Sequence, residues 1–148
     1  MAIDVTARPE IGKSRRDVAA YAFEPSNDPA WIGGVSKAEL LTERPVSTGT
    51  PQVQRLAKFL GREIDYVHEV GAFEPDHLMA MESVKGPFPM KVTYQLDDAG
   101  GDRTLASIRV QGHPQGFYQM ADTLTGIMVR NSISNDLKRL KKIMETGR

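Results

Sequence analysis

The chain has 148 residues, of which 40% are hydrophobic, with 19 basic and 19 acidic side chains and no cysteine. This length fits one domain with a single core, the balanced charge argues against nucleic acid or an anionic membrane surface as a partner, and the lack of cysteine excludes disulfides and thiolate chemistry. No apolar run is long enough to insert into a membrane and the N-terminus lacks the apolar core of a signal peptide, so we expect a cytoplasmic protein.

The N-terminal part of the chain predicts one strand followed by two short helices. The segment AIDVTA alternates apolar and polar residues as a strand does, and RPEIGK after it is turn-like. Ser14 is expected to cap the first helix, with Asp17 completing a weak capping box. The segment EPSNDP ends that helix, and a second helical turn is expected to finish at Gly33–Gly34. Trp31, the only tryptophan, lies at the close of this turn.

The remainder of the chain predicts an antiparallel sheet followed by a long helix. Short Gly or Pro turns separate six strand-like runs, at residues 35–42, 52–60, 62–73, 77–85, 88–96 and 103–112. From Gln115 to about Thr146 the apolar spacing becomes helical.

Six segments in this order carry a resemblance to a known family: SRRDVAAYAFEPSNDPAWIGGV, STGTPQV, FLGREIDY, FEPDHLMAM, GPFPMKVTYQL and LKRLKKIMET. The chain resembles the SRPBCC superfamily, specifically its polyketide cyclase/dehydrase-like branch, over nearly its whole length, so residues 1–148 are read as one domain. The resemblance implies an α+β helix-grip (START-like) fold, in which a curved antiparallel sheet of about seven strands wraps a long C-terminal helix. Two short helices between strands one and two close one end, and a cavity lies between sheet and helix. Members of the family bind sterols, lipids, plant hormones or polyketides, and only some are enzymes.

Tight turns predict the register of the sheet, and register decides which side chains share a face. We expect two-residue loops at Pro75–Asp76, Gly86–Pro87 and Gly61–Arg62, and pairing of Leu96 with Thr104 around LDDAGG. The resulting neighbours are Phe73–Leu78, Val70–Met81, His68–Ser83, Ser83–Met90, Met81–Val92, Met79–Tyr94, Glu82–Lys91, Tyr94–Ala106, Arg55–His68 and Lys58–Asp65. All four hairpins then agree on one apolar, concave face.

One row of cross-strand neighbours on this face begins with three polar residues, Arg55, His68 and Ser83, and continues with Met90 and Val110. An unpaired buried charge is costly, so the row needs an explanation. It predicts either a polar anchor for a ligand inside an apolar cavity, or a structural arrangement in which Arg55 reaches solvent past the rim and His68 bonds Ser83.

The candidate ligand-binding residues combine this row with the apolar side chains of the concave face and of the C-terminal helix. The resemblance implies that the apolar side chains line a cavity, but their pattern alone is also compatible with an ordinary core. Trp31 is expected to be either a plug at the end of the cavity or an anchor in the core. The candidates are Trp31, Arg55, Tyr66, His68, Met79, Met81, Ser83, Phe88, Met90, Tyr94, Phe117, Met120 and Leu124.

The C-terminal helix shows two apolar stripes that differ in phase. Gly126 lies where they change, so we expect a kink, bulge or rotation there, with the first half over the cavity and the second half on the sheet. Lys138, Arg139, Lys141 and Lys142 are expected on a solvated surface. The first stripe comprises Phe117, Ala121, Leu124 and Met128, and the second comprises Val129, Ile133, Leu137, Leu140 and Met144.

The sequence shows no catalytic, metal or cofactor motif. The histidines at 68, 77 and 113 lack the spacing of metal ligands, and no glycine loop has the context of a phosphate site. We therefore expect no metal and no cofactor, and binding of a small, largely apolar molecule. The first alternative is a cyclase or dehydratase with His68 as the catalytic acid or base. The second is a protein-interaction domain; whether the chain forms a homodimer is left open. As a protein-interaction domain, the chain would present an apolar patch on its outer face that comprises Leu56, Val67, Phe73, Leu78 and Leu105.

Overall fold

A computed structural model describes residues 3–41, 51–59, 61–86, 88–113 and 122–147. Its helices are α1 (Arg15–Ala22), α2 (Asp28–Trp31), which follows a 3-10 turn at Pro25–Asn27, and α3 (Asp122–Thr146). Its strands are β1 (Ile3–Ala7), β2 (Glu10–Ile11), β3 (Val35–Leu40), β4 (Gln52–Phe59), β5 (Arg62–Glu74), β6 (Leu78–Lys85), β7 (Met90–Asp98) and β8 (Thr104–Gly112).

The strands form one antiparallel sheet in the order β1-β8-β7-β6-β5-β4-β3. The α+β class, the long C-terminal helix and the two helices before the second long strand are as predicted. One strand was not predicted: β2 pairs with the first two residues of β8, with Ile11 opposite Thr104. Ile11 is completely buried, and the Thr104 hydroxyl donates to the Lys13 carbonyl at 2.7 Å. The segment read as a turn therefore contributes an eighth strand to the sheet.

Helix α1 begins and ends where the sequence predicted, whereas α2 ends at Trp31, before the predicted end at Gly33–Gly34. The Ser14 hydroxyl accepts a hydrogen bond from the Asp17 backbone N–H at 3.3 Å, which is the expected helix cap. Val18, Ala19 and Ala22 are buried on the inner side of α1. Trp31 is only 1% exposed, so the large side chain at the end of α2 is part of the core.

The central hairpins confirm the predicted concave face. Val70 pairs with Met81 and His68 with Ser83, while Met79 pairs with Tyr94 and Met81 with Val92. On the outer face Glu82 pairs with Lys91 as expected. Ser83 is joined to Met90 through its side chain: the hydroxyl accepts from the Met90 N–H at 3.0 Å.

Two hairpins are displaced by two residues from the predicted register. In β4–β5 the turn closes at Gly61, with φ of +76°, so Phe59 pairs with Arg62 and Arg55 with Tyr66 instead of His68. Lys58 consequently pairs with Glu63, and the predicted Lys58–Asp65 pair is wrong. In β7–β8 the strands extend further, so Leu96 pairs with Ala106 and Tyr94 with Ile108. A shift of two preserves the face of every side chain, which is why the buried face was still correct.

The β5–β6 turn is longer than predicted and changes the position of Phe73. Three residues, 75–77, form the turn, with Asp76 at φ of +60°. An irregularity between Val70 and Ala72 returns the strands to the predicted pairing of Val70 with Met81. Phe73 therefore pairs with Met79 rather than Leu78. Its ring lies 6.0 Å from that of Phe23, on the core side. The predicted apolar outer patch is wrong in this respect, and its remaining members, Leu56, Val67, Leu78 and Leu105, are only partly exposed.

Of the two predicted stripes of the C-terminal helix, the second is buried, whereas the described members of the first, Leu124 and Met128, are exposed. Val129, Ile133, Leu137 and Leu140 belong to the core, and Met144 packs against it partly buried. Leu124 and Met128 are 53% and 37% exposed, whereas Thr125 is completely buried. Thr125 thus lies on the same buried face as Val129, and α3 runs as one helix through Gly126. Phe117, Met120 and Ala121 lie outside the described residues.

Candidate ligand-binding cavity

A cavity of about 160 Å³ lies between the concave face of the sheet and α3. Strands β4, β5, β7 and β8, the segment between α2 and β3, and the middle of α3 contribute its walls. Most of the wall is apolar, with several polar side chains placed among the apolar ones. The lining residues are Ile32, Gly33, Val35, Arg55, Ala57, Lys58, Ile64, Tyr66, His68, Phe88, Met90, Val92, Tyr94, Ile108, Val110, Val129, Ser132, Ile133 and Asp136.

The structure brings part of the predicted site to this cavity. The six candidates in the wall are Arg55, Tyr66, His68, Phe88, Met90 and Tyr94. Four others lie elsewhere in the fold: Trp31, Met79 and Met81 are packed in the core, and Ser83 bonds the backbone of Met90. Leu124 is exposed on α3, and Phe117 and Met120 fall outside the described residues.

Arg55 is held inside the protein by an ion pair. Its Nε donates to Asp28 Oδ2 at 2.7 Å, and the two side chains are 3% and 1% exposed. Burial by itself lowers the pKa of the guanidinium, but attraction to Tyr94, Asp28 and Tyr66 outweighs it and raises the pKa. For Asp28, burial raises the pKa and the Arg55 charge opposes that rise. The interpretation in which Arg55 reaches solvent past the rim is therefore wrong.

His68 is a neutral hydrogen-bonding group. Its Nδ1 lies 3.4 Å from Arg55 Nη1. A guanidinium can only donate, so Nδ1 accepts and the imidazole proton is assigned to Nε2. Burial, together with the neighbouring Arg55 charge, lowers the pKa of His68 to about 3. The ring can therefore offer an N–H donor but cannot carry a charge near neutral pH.

Two tyrosines complete the polar part of the wall. Burial raises the pKa of both Tyr66 and Tyr94, so each phenol keeps its proton. The Tyr66 ring lies 5.1 Å from His68, and the Tyr94 ring lies 5.8 Å from Trp31. The indole Nε1–H of Trp31 has no acceptor in the described part of the chain. The two phenols, the His68 Nε2–H and the guanidinium therefore make the wall near Arg55 rich in donors.

Asp136 joins α3 to the end of α2. Its Oδ1 accepts from the Gly33 backbone N–H at 2.8 Å and from Arg139, whose Nε also donates to the Trp31 carbonyl at 2.9 Å. Burial raises the pKa of Asp136 to about 6, although these two donors oppose the rise. Arg139 is exposed, as predicted, and its guanidinium also fixes the segment that borders the cavity.

Sequence reasoning missed the two buried carboxylates, Asp28 and Asp136. Asp28 was read only as part of the helix-ending segment EPSNDP, and the signal that could have found it was the need of a buried arginine for a counterion. Asp136 lies three residues after Ile133 on the buried face of α3, where it falls between the apolar positions of the stripe.

Other kinds of site find no support in the described ranges. Across residues 3–41, 51–59, 61–86, 88–113 and 122–147, no group of His, Cys, Asp and Glu side chains could hold a metal ion. Among those same residues, none of the helices is both long and apolar enough to cross a membrane.

The comparison with known proteins finds similarity of structure only. No family model and no curated protein matches the sequence. A solved structure of a Thermus thermophilus protein, TTHA0849, superposes with a TM-score of 0.82 at 14% identity, covering 97% of this chain and 98% of that one. A START superfamily protein from Mycobacterium smegmatis gives a TM-score of 0.80 at 13% identity, with 98% and 99% covered. The ZhuI aromatase/cyclase from a Streptomyces species gives a TM-score of 0.78 at 11% identity, with 98% and 94% covered. The chain therefore has the helix-grip fold of START-like proteins and polyketide aromatase/cyclases.

Proposed function

We propose that the cavity binds a small, largely apolar ligand that carries one hydrogen-bond-accepting group. The observation that supports this most is the composition of the wall, in which Arg55, His68 and the two tyrosines stand among aliphatic and aromatic side chains. Apolar surface supplies affinity, and a few placed donors orient the ligand. Some structural neighbours are named as a START superfamily protein and an aromatase/cyclase, and the fold shared with them suits such a role.

The volume of the cavity limits the size of the ligand. An apolar cavity of about 150 Å³ holds benzene, whereas sites for drug-sized molecules measure roughly 300–1,000 Å³. At about 160 Å³ this cavity matches a molecule with a single ring. We therefore propose a monocyclic ligand rather than a multi-ring polyketide.

Binding is favoured over acid–base catalysis because of His68. A general acid or base works best when its pKa is near the working pH, and the pKa of His68 is about 3. Its conjugate acid is absent at neutral pH and the ring is a weak base. The cyclase or dehydratase alternative would thus have to depend on another group. The outer patch that favoured the protein-interaction alternative lacks Phe73, and its remaining members are only partly exposed.

The proposal is tested by filling the cavity. Toluene is titrated calorimetrically into the wild type, into Val129→Phe, which adds volume at the cavity wall, and into Val84→Phe at an exposed site. We expect the wild type and Val84→Phe to bind toluene alike and Val129→Phe to bind at least tenfold more weakly. Circular dichroism checks that both variants fold. Equal binding by all three proteins, or none by the wild type, would contradict the proposal.

Native mass spectrometry of freshly purified protein gives an independent measurement. A retained ligand should add the mass of a monocyclic compound and should be missing from Val129→Phe purified in parallel. A retained ligand of several fused rings would contradict the proposed size.

A further inference from the structure

The charge that compensates Arg55 lies behind it, away from the cavity. Arg55, on β4, belongs to the cavity wall, while its partner Asp28, on α2, is not a wall residue. A ligand would thus contact the guanidinium and not the carboxylate. The pair is 3% and 1% exposed, so solvent screens the two charges little.

The other ionisable groups in the wall do not favour an anion. Asp136 is acidic and already accepts bonds from Gly33 and Arg139. Lys58 is exposed, so water solvates its ammonium group. With Arg55 neutralised by Asp28, a buried carboxylate would lose its hydration without meeting an unpaired cation, which is unfavourable.

We infer that Asp28 sets the charge selectivity of the cavity, so that it accepts uncharged ligands such as amides, ketones or phenols and rejects carboxylates. The inference extends the proposed function, because it requires that ligands bind beside Arg55. The carboxylate of Asp28 accepts a hydrogen bond from Nε of the guanidinium at 2.7 Å and compensates its charge. The N–H groups of Arg55 that do not bond Asp28 or His68 can then donate to a ligand in a site without net charge.

Benzamide and benzoate form a matched pair of probes, since they share one shape and differ in charge. Both are titrated at pH 7.5 into the wild type, Asp28→Asn and Asp4→Asn, with toluene as the uncharged, apolar reference. Asp4 is the control because it also pairs with an arginine, Arg109, at 2.7 Å, but on the exposed surface. The wild type and Asp4→Asn should bind benzamide at least tenfold more tightly than benzoate.

In Asp28→Asn the charge of Arg55 is uncompensated, so affinity for benzoate should rise relative to benzamide by about tenfold to a hundredfold. In Asp28→Asn/Arg55→Gln, in which two neutral amides replace the ion pair, the preference for benzamide should return. Toluene should bind the wild type and the control Asp4→Asn similarly.

The outcomes separate this inference from the proposed function. If toluene binds but the wild type prefers benzoate, or if the benzamide-to-benzoate ratio is the same in Asp28→Asn and the wild type, the charge selectivity is overturned while the cavity stands. If toluene does not bind, both are overturned. The wild-type ratio decides the matter even if Asp28→Asn fails to fold.

Discussion

The buried guanidinium of Arg55 and the carboxylate of Asp28 connect strand β4 to helix α2 through a bond of 2.7 Å. Both residues are at most 3% exposed. The connection places a charged group in the cavity wall and at the same time fixes α2, which carries Trp31, against the sheet. One contact thus serves both the fold and the candidate site.

The first prediction concerns the stability of this pair. Arg55→Ala leaves Asp28 buried without a partner and should lower the free energy of unfolding by roughly 3–5 kcal/mol. The pair Arg109–Asp4 has the same shortest distance but lies exposed to solvent, so Arg109→Ala should lower the free energy of unfolding far less. Urea unfolding of both variants measures the difference. Similar losses in the two would mean that burial does not decide the importance of the pair.

The second prediction distinguishes the core from the cavity wall. Met81 is completely buried and lies outside the wall, so Met81→Ala should cost roughly 2–5 kcal/mol through lost packing. Met90 lines the cavity and is partly exposed, so Met90→Ala should cost clearly less. Urea unfolding again gives both values. An equal or larger loss for Met90→Ala would indicate that the cavity is filled by packing around this residue.

The faces of the strands could be predicted from the sequence because side chains alternate with a period of two. The register errors in β4–β5 and β7–β8 were both of two residues, which leaves alternation intact. Phe73 was placed wrongly because an irregularity near Gly71 adds a residue to β5, and nothing in the alternation reveals it. Turns identify where strands end, but they define register only when the turn length is known.

The candidate site was less predictable because its contacts join segments far apart in the chain. Arg55 and His68 were identified as polar residues on a buried face. Their partners were not, since Asp28 and Asp136 lie in helices whose orientation toward the sheet depends on packing. The volume of the cavity likewise depends on how α3 packs against the sheet, and no local sequence pattern predicts that packing.

The third prediction concerns the junction between α2 and β3. Gly34 has φ of +80°, and a Cβ there would lie 2.6 Å from the Lys58 carbonyl oxygen. Its own carbonyl accepts from the Lys58 N–H at 3.1 Å, so the two backbones cannot easily separate. Gly61 has a similar φ of +76° with nothing near a Cβ, which makes it the control.

Gly61→Ala should therefore cost only the left-handed backbone penalty, roughly 1–2 kcal/mol. Gly34→Ala should cost more than that, because the steric clash with β4 is added. Thermal unfolding of the two variants tests the order, and a smaller loss for Gly34→Ala would show that the junction can move apart.

The last prediction is a pH dependence with two opposing contributions. His68 has its pKa lowered from 6.5 to about 3, so between these values the unfolded chain binds a proton that the folded protein does not. Stability from this group is present above about pH 6.5 and is lost as the pH falls, by up to roughly 5 kcal/mol. Asp136 has its pKa raised from 3.8 to about 6, so in that window the folded protein holds a proton that the unfolded chain lacks. Its contribution has the opposite sign and grows as the pH falls.

The two groups should partly cancel between about pH 4 and 6 in the wild type, and single variants should separate them. His68→Gln removes the acid-side loss, so its stability should fall less than that of the wild type, or rise, as the pH is lowered from 6 to 4. Asp136→Asn leaves the His68 contribution unopposed, so its stability should fall more steeply over the same range. Urea unfolding of the three proteins at intervals from pH 4 to 7 gives the slopes, and each slope is proportional to the difference in bound protons between the unfolded and folded states. Parallel curves for all three would mean that neither group titrates differently in the folded protein, which would remove the basis for a neutral His68 in the cavity wall.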